Sequence, residues 1–171
     1  MQNYFELFDL ETSFFIDESA LKRSYQSEIS RFHPDNFATK SEPEKLQALQ
    51  NTSLLNSAYS VLKAPLSRAT YLLKLKGMDA FDEKDTAMEE GFLISQIELR
   101  DELEAIEENK NNLGLDDFIE RVDSFIEEKI ESISEAYNLS SDQQLIKRHV
   151  RELKFFDQLY KEANALMDEW F

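Results

Sequence analysis

Apolar side chains recur every three or four positions along most of the chain, the spacing that places them on one face of an α-helix. Leu21, Tyr25, Ile29 and Phe32 form one such stripe in the first half. The pattern there predicts four helices, over about 4–8, over 18–32, from the segment SEPEK to about 62, and over about 65–76. The second and third are expected to lie antiparallel, with the segment HPDNFATKS between them.

The second half keeps the helical periodicity in longer segments. It predicts helices over about 89–110, 116–137 and 142–169, separated by NKNNLGL and NLSSDQQ. Asp116 is expected to cap the second of these helices, and Ser141 with Gln144 resembles a capping box for the third. Three amphipathic helices with short connections are expected to form a bundle. No strand is predicted, so the expected fold class is all-α.

A domain boundary is expected near Gly77. This glycine follows the stretch ATYLLKLK, at the position where glycine commonly ends a helix. The acidic, mixed segment after it has the composition of a linker. The chain is therefore expected to comprise a domain of residues 1–77, a linker of 78–88 and a domain of 89–171.

The charge of the chain is distributed unevenly between these domains. Residues 1–77 carry nine Lys and Arg against nine Asp and Glu, whereas residues 78–171 carry ten against twenty-six, which is the whole net charge of −16. Such a field repels phosphate backbones, so nucleic-acid binding is not expected. The step in charge suggests two units with different partners.

The amino-acid composition excludes further classes of chemical site. The 171 residues contain no cysteine, which excludes disulfides, thiolate catalysis and cysteine-ligated metals, and no cofactor or metal is expected. The segment MQNYFELFDLETSFF has no basic region followed by an apolar run, so it is not a signal peptide. No run approaches the roughly eighteen apolar residues of a membrane span. The expectation is a soluble, cytoplasmic protein.

The tripeptide His33-Pro34-Asp35 breaks the second helix and permits three interpretations. A histidine beside an aspartate could begin an acid–base site of a hydrolase, but such a site also needs a pocket and often a nucleophile. The other histidine, His149, is predicted to be a packed helical residue. Proline and aspartate could instead simply end the helix. Finally, a rigid, projecting turn could be recognised by another protein.

The helix before this turn carries a basic outer face. Lys22, Arg23 and Arg31 are its cations, and Glu28 is the only acid among residues 19–33. A charged outer face is usually no more than a solvated face. In an otherwise acidic protein, however, a positive face leading into a rigid turn suits docking to an acidic surface.

The first helix of the second domain has two apolar faces. One is a core stripe of Phe92, Leu99, Leu103 and Ile106, and the other is formed by three residues on the opposite side: Leu93, Ile94 and Ile97. Acidic residues surround the second face, with Asp101 between its members and Glu98 on its margin. It either packs against the first domain or binds a partner. Phe155 of the last helix is likewise expected to project away from the core.

Taken together, these motifs identify a family. The stretches YFELF, FHPDNFA, LLNSAYSVLKAPLSRATYLL and FLISQIELRDELEAIE strongly resemble the HscB family of iron–sulfur co-chaperones, over nearly the whole chain. The resemblance implies an N-terminal J domain, which is a helical hairpin with an HPD loop, and a C-terminal three-helix bundle in an L-shaped arrangement. It also implies a monomeric protein that is not itself an enzyme.

The resemblance further implies two protein partners. His33, Pro34 and Asp35 would engage the DnaK-type chaperone HscA and stimulate its ATP hydrolysis, and the basic face would meet an acidic groove on that chaperone. The iron–sulfur scaffold protein IscU would be held by six residues of the bundle: Leu93, Ile94, Ile97, Glu98, Asp101 and Phe155. Asn36 replaces a lysine common in the family, and Ala105 stands where an acid is expected. A general J-domain co-chaperone for unfolded clients remains the alternative.

Overall fold

The protein is entirely helical in the part described by its structure, a computed structural model that covers residues 2–85 and 88–171. This confirms the predicted fold class. The α-helices in these ranges are α1 (Tyr4–Leu7), α2 (Glu18–Arg31), α3 (Glu42–Leu62), α4 (Pro65–Leu75), α5 (Glu90–Asn109), α6 (Asn112–Leu139) and α7 (Gln143–Trp170). A 3₁₀ turn, Pro34–Phe37, lies between α2 and α3. No helix in the described ranges is long and apolar enough to cross a membrane.

Two predicted helix caps are wrong. The helix α6 begins before Asp116, because the side chain of Asn111 accepts a hydrogen bond from the amide of Gly114 at 3.0 Å and starts the helix there. Asp142 caps α7 by accepting from the amides of its second and third helical residues. Ser141 cannot serve as that cap because its backbone is left-handed, with φ of 51°, whereas an N-cap residue is typically extended.

The chain divides into two compact units, Met1–Lys76 and Gly77–Phe171. In the first unit, α3 packs against α1, α2 and α4. The side chain of Arg68 is buried among these elements. Its nitrogens donate hydrogen bonds of 2.8 Å to the carbonyls of Phe14 and Leu62, and it lies over the Phe14 ring. Burial lowers the pKa of this guanidinium, and the two hydrogen bonds join the loop before α2 to the end of α3.

In the second unit, α6 and α7 pack against each other along their lengths and α5 packs against both. The core is formed by side chains from all three helices: Leu99, Leu103, Ile106, Leu115, Phe118, Val122, Phe155, Phe156, Leu159, Ala163 and Leu166. Trp170, the only tryptophan of the chain, packs against this core. Its fluorescence therefore reports on the folding of the bundle.

The segment expected to be a linker includes residues 86 and 87, which lie outside the described residues. Residues 79–85, here named the strap, pack against α7 within the second unit. Ala80 is buried, and its carbonyl accepts a 3.4 Å hydrogen bond from Arg151. The ammonium of Lys147 lies 2.5 Å from the carboxylate of Asp85. The strap is thus held at both ends by cations of α7.

A buried charge cluster joins α6 to α7. Glu152 is only 3% exposed, and its carboxylate lies 2.5 Å from the ammonium of Lys129 and 3.8 Å from Nδ1 of His149. Burial by itself would raise the pKa of this carboxyl, but the neighbouring His149 and Lys129 side chains outweigh burial and hold the pKa below its usual value. The cluster places His149 as a packed helical residue, as predicted.

Replacing Lys129 with Met should destabilise the bundle by about 3 kcal/mol at pH 7, because it leaves a buried carboxylate without its cation. Urea unfolding followed by Trp170 fluorescence measures this. The lowered pKa means that Glu152 stabilises the native bundle above its usual pKa of 4.5, and that this stabilisation fades as pH falls through the folded value. In the variant the lowering effect of Lys129 is lost while burial and His149 still act, so the pKa of Glu152 is higher than in the wild type and the penalty also fades at low pH.

The difference between the two proteins should therefore shrink as pH falls below 4.5. Lys161→Met is the matched control, because Lys161 pairs with Asp157 on the surface and its side chain is 74% exposed. It should leave the unfolding midpoint nearly unchanged. A Lys129→Met penalty that stays constant down to pH 4 would show that the cluster is not the cause.

Candidate functional site

The HPD tripeptide forms an exposed turn directly after α2. His33 has polyproline-like backbone dihedrals, with φ of −58° and ψ of 138°, and its carbonyl accepts a 2.9 Å hydrogen bond from the amide of Asn36. The amide of Asp35 donates to Nδ1 of His33 at 3.2 Å, which makes Nε2 the ring nitrogen that carries the hydrogen and can donate to a partner. The side chains of His33 and Asp35 are 59% and 91% exposed. Both are therefore presented to solvent on a backbone fixed by the 3₁₀ turn.

Asn36 fastens this turn to the end of α2. Its side-chain amide donates a 2.8 Å hydrogen bond to the carbonyl of Ser30, one of the carbonyls that a helix end leaves without an intrahelical partner. The rings of Phe32 and Phe37 stack across the same turn, with centroids 6.3 Å apart. Sequence reasoning treated Asn36 only as a missing positive charge. The signal it overlooked is the tendency of asparagine to bond nearby backbone groups in turns.

Replacing Asn36 with Ala should release the turn from α2 without changing any charge. Because a typical hydrogen bond contributes about 1 kcal/mol, the concentration giving half-maximal effect on the DnaK-type chaperone that the sequence resemblance implies should rise roughly two- to tenfold. Titration of chaperone ATPase stimulation checks this. Asn56→Ala is a matched control, since Asn56 is an asparagine bonded to the Tyr25 hydroxyl and not to the turn. Equal titration curves for wild type and Asn36→Ala would contradict a positioning role.

Two observations on the described part of the chain bear on whether the turn could belong to a catalytic centre. A hollow of about 460 Å³ beside it is lined mainly by apolar side chains, including Pro34 of the turn itself, but by neither His33 nor Asp35. No group of three or more His, Cys, Asp or Glu residues suited to a metal occurs in the described residues. The turn presents the imidazole of His33 and the carboxylate of Asp35 in a fixed, exposed position, which suits recognition by a macromolecule.

The predicted basic face lies on the exposed side of α2. Lys22, Arg23 and Arg31 are all exposed. Arg31 forms an ion pair of 2.9 Å with Glu28 one turn earlier, whereas Lys22 and Arg23 form no ion pair with any described residue. The helix that leads into the HPD turn therefore carries two cations without an ion pair and one whose partner can be exchanged. Such a face is suited to steering an acidic surface toward the turn.

The second predicted surface lies on α5 of the bundle. Its apolar members Leu93, Ile94 and Ile97 are 44%, 50% and 62% exposed. Glu98 and Asp101 are exposed beside them, and within the described ranges neither forms an ion pair. These five residues are named the docking patch. Three neighbouring apolar side chains left in water, with carboxylates at the margin, are typical of a protein-binding surface.

The expectation that Phe155 projects away from the core is wrong. Phe155 is 9% exposed and belongs to the bundle core. Its ring meets those of Phe92 and Phe156 edge to face, with centroids 5.7 and 5.6 Å apart, and the guanidinium of Arg100 lies over it. The prediction considered α7 alone, whereas α5 lies across that helix and covers the ring. Phe155 therefore belongs to the bundle core and not to the exposed patch.

Comparison with known proteins gives consistent results. Residues 88–164 match a family profile described as the HSCB C-terminal oligomerisation domain. A co-chaperone protein HscB homolog of Vibrio vulnificus is 39% identical over 170 residues, 99% of each chain. The structure of chaperone HscB from Vibrio cholerae is 34% identical, with a TM-score of 0.85 and coverage of 99% of this chain and 100% of that one. Human co-chaperone protein HscB is 29% identical, with a TM-score of 0.87 and coverage of 96% and 81%.

Proposed function

Because this chain belongs to the HscB family of co-chaperones, we propose that it delivers an iron–sulfur scaffold protein, IscU, to a DnaK-type chaperone, HscA. The bundle binds the scaffold, and the first unit binds the chaperone and stimulates its ATP hydrolysis. As a result, the chaperone binds the scaffold, which promotes iron–sulfur cluster assembly or transfer. The hydrolytic chemistry belongs to the chaperone, and this protein acts as a monomer in the cytoplasm.

The observation that carries this proposal is the presence of two exposed recognition surfaces on two separate compact units. The HPD turn and the basic face lie within Met1–Lys76, and the docking patch lies within Gly77–Phe171. Their chemistry differs, because the first is cationic and the second is apolar with an acidic margin. One protein can therefore hold two different partners at once.

Chaperone binding follows from the first surface. The cations Lys22, Arg23 and Arg31 increase the rate of encounter with an acidic groove, and this attraction weakens with salt. Exposed ion pairs are worth about 0.2–1 kcal/mol each, so they orient a transient contact without making it permanent. His33, Pro34 and Asp35 then meet the chaperone in a fixed geometry, because the 3₁₀ turn and Asn36 have already restricted their backbone.

Scaffold binding follows from the second surface. Removing Leu93, Ile94 and Ile97 from water favours association by about 25 cal/mol per Å² of apolar surface buried. Glu98 and Asp101 remain at the margin, where they favour a partner with basic residues around an apolar contact. Once the scaffold is bound, docking of the other unit raises its effective concentration near the chaperone. Delivery thus requires no chemistry from this chain.

Competition for the bundle tests whether the client is a specific folded protein. A labelled scaffold bound to this protein would be challenged with unlabelled scaffold and, separately, with a reduced, permanently unfolded protein. Specific delivery predicts displacement by the unlabelled scaffold alone. Equal displacement by the unfolded protein would favour the alternative, a general J-domain co-chaperone, because such a protein binds many denatured chains.

A further inference from the structure

A cleft of about 480 Å³ opens beside the docking patch, between the strap, α5 and α7. Phe81 of the strap forms one wall and Leu93 of α5 forms another, while Phe155 lines the cleft from the core. Gln96 and Lys154 add polar groups at its edge. Leu93 thus belongs to both the patch and the cleft, which makes the two features one continuous surface.

Phe81 is exposed although its backbone neighbours are fixed. Ala80, the preceding residue, is 1% exposed and is hydrogen-bonded by Arg151, whereas Phe81 is 38% exposed. The ammonium of Lys154 lies 5.7 Å from the centroid of the Phe81 ring. An aromatic ring held in place but left partly in water loses little conformational entropy when a partner covers it, which is the property of an interface anchor.

The charges around the cleft restrict its occupant. Asp82 and Glu83 line it on the strap side, and Glu98 and Asp101 lie on the adjoining patch. Within the described residues, none of these four carboxylates forms an ion pair. A fitting partner therefore presents an apolar side chain flanked by basic residues. The α7 wall of the cleft is lined by Arg151 and Lys154, so the carboxylates favour basic groups of a partner on the strap and patch sides only.

We propose that the cleft receives an apolar side chain of the scaffold protein, with Phe81 as an anchor outside the docking patch. This rests on the proposed function, since the same partner covers Leu93 and the cleft next to it. The strap then has a second role besides connecting the units, because it supplies one wall of the binding surface. The cations of α7 that hold the strap contribute to scaffold affinity indirectly.

Titration calorimetry with purified scaffold protein tests the role of Phe81. Phe81→Ala should weaken scaffold binding about tenfold, in the range of interface anchor residues. Phe81→Leu should restore most of the affinity, because it refills the wall with an apolar side chain. Phe171→Ala is the matched control, since Phe171 is 86% exposed and lies sixteen residues beyond Phe155. Urea unfolding of each variant, followed by circular dichroism, measures stability independently.

The outcomes separate this inference from the proposed function. If wild type binds the scaffold and Phe81→Ala binds equally well, the cleft is not part of the interface, although delivery stands. If wild type fails to bind the scaffold, both are overturned. A tenfold loss with an unchanged unfolding midpoint, rescued by Phe81→Leu, supports the inference. A similar loss that Phe81→Leu does not rescue and that follows a lowered midpoint would show a structural role only.

Discussion

Replacing His33 with Gln should abolish stimulation of chaperone ATP hydrolysis while leaving scaffold binding intact. The imidazole is 59% exposed, and its Nδ1 already accepts from the amide of Asp35. Glutamine retains polarity and similar reach, but it cannot place a ring donor at the same point while maintaining that local hydrogen bond. Because transient recognition depends on a few fixed groups, loss of one such group should reduce stimulation by at least about tenfold.

The His33→Gln experiment compares chaperone turnover over a range of co-chaperone concentrations. Scaffold affinity, measured on the same preparation, serves as the internal control because the docking patch lies in the other compact unit. The helix content should also be unchanged, since both His33 and Asp35 are exposed. Stimulation at the wild-type level by His33→Gln would show that the HPD turn is only a helix stop.

The double substitution Leu93→Ala with Ile97→Ala should weaken scaffold binding roughly a hundredfold. Each side chain is an exposed aliphatic group, and two truncated anchor residues of about 1–2 kcal/mol each give a loss of this size. Stability should change little, because 44% and 62% of these residues are already exposed in the free protein. Binding would be measured by calorimetry with the purified scaffold.

A matched control is available on the same bundle. Leu113 and Leu139 are 83% and 84% exposed, and neither belongs to the docking patch. The control double variant, Leu113→Ala with Leu139→Ala, removes apolar surface of the same kind and should bind the scaffold like wild type. Stimulation of the chaperone in the absence of scaffold should be normal in both variants. Unchanged binding by Leu93→Ala with Ile97→Ala would remove α5 from the scaffold interface.

The helices could be predicted because each has to bury one apolar stripe, and the stripes are visible in the sequence. The stripe through Leu21 and Phe32 is an example, and Leu21 is indeed 1% exposed. Helix ends were less predictable because several neighbouring residues near each end have side chains that could cap the helix. Asp142 rather than Ser141 caps α7 because the backbone at Ser141 is left-handed. This backbone conformation depends on the path of the connection between α6 and α7, which the sequence does not reveal.

The candidate surfaces were predictable where exposure follows from a single helix. Leu93, Ile94 and Ile97 lie opposite the core stripe of α5, and the structure leaves them exposed. Burial of Phe155 could not be predicted in that way, since it depends on Phe92 of another helix covering the ring. Contacts between helices decide which residues of a broad apolar face reach solvent.

The strap was missed because its acidic composition resembles a solvated linker. A signal was nevertheless present in the sequence, since α7 carries Lys147, Arg151 and Lys154 at helical spacing in a bundle that is otherwise strongly acidic. Cations repeated on one face of a helix can pair with an acidic segment that lies against that face. In the structure Lys147 pairs with Asp85, and Lys154 lies over Phe81.

Steady-state ATP hydrolysis by the DnaK-type chaperone tests delivery most directly. The rates would be compared for the chaperone with this protein, with the scaffold, and with both. Delivery predicts a rate with both partners that clearly exceeds the sum of the two separate stimulations, because this protein brings the scaffold and the HPD turn to the chaperone in one complex. A rate equal to that sum, or no stimulation in any mixture, would contradict the account.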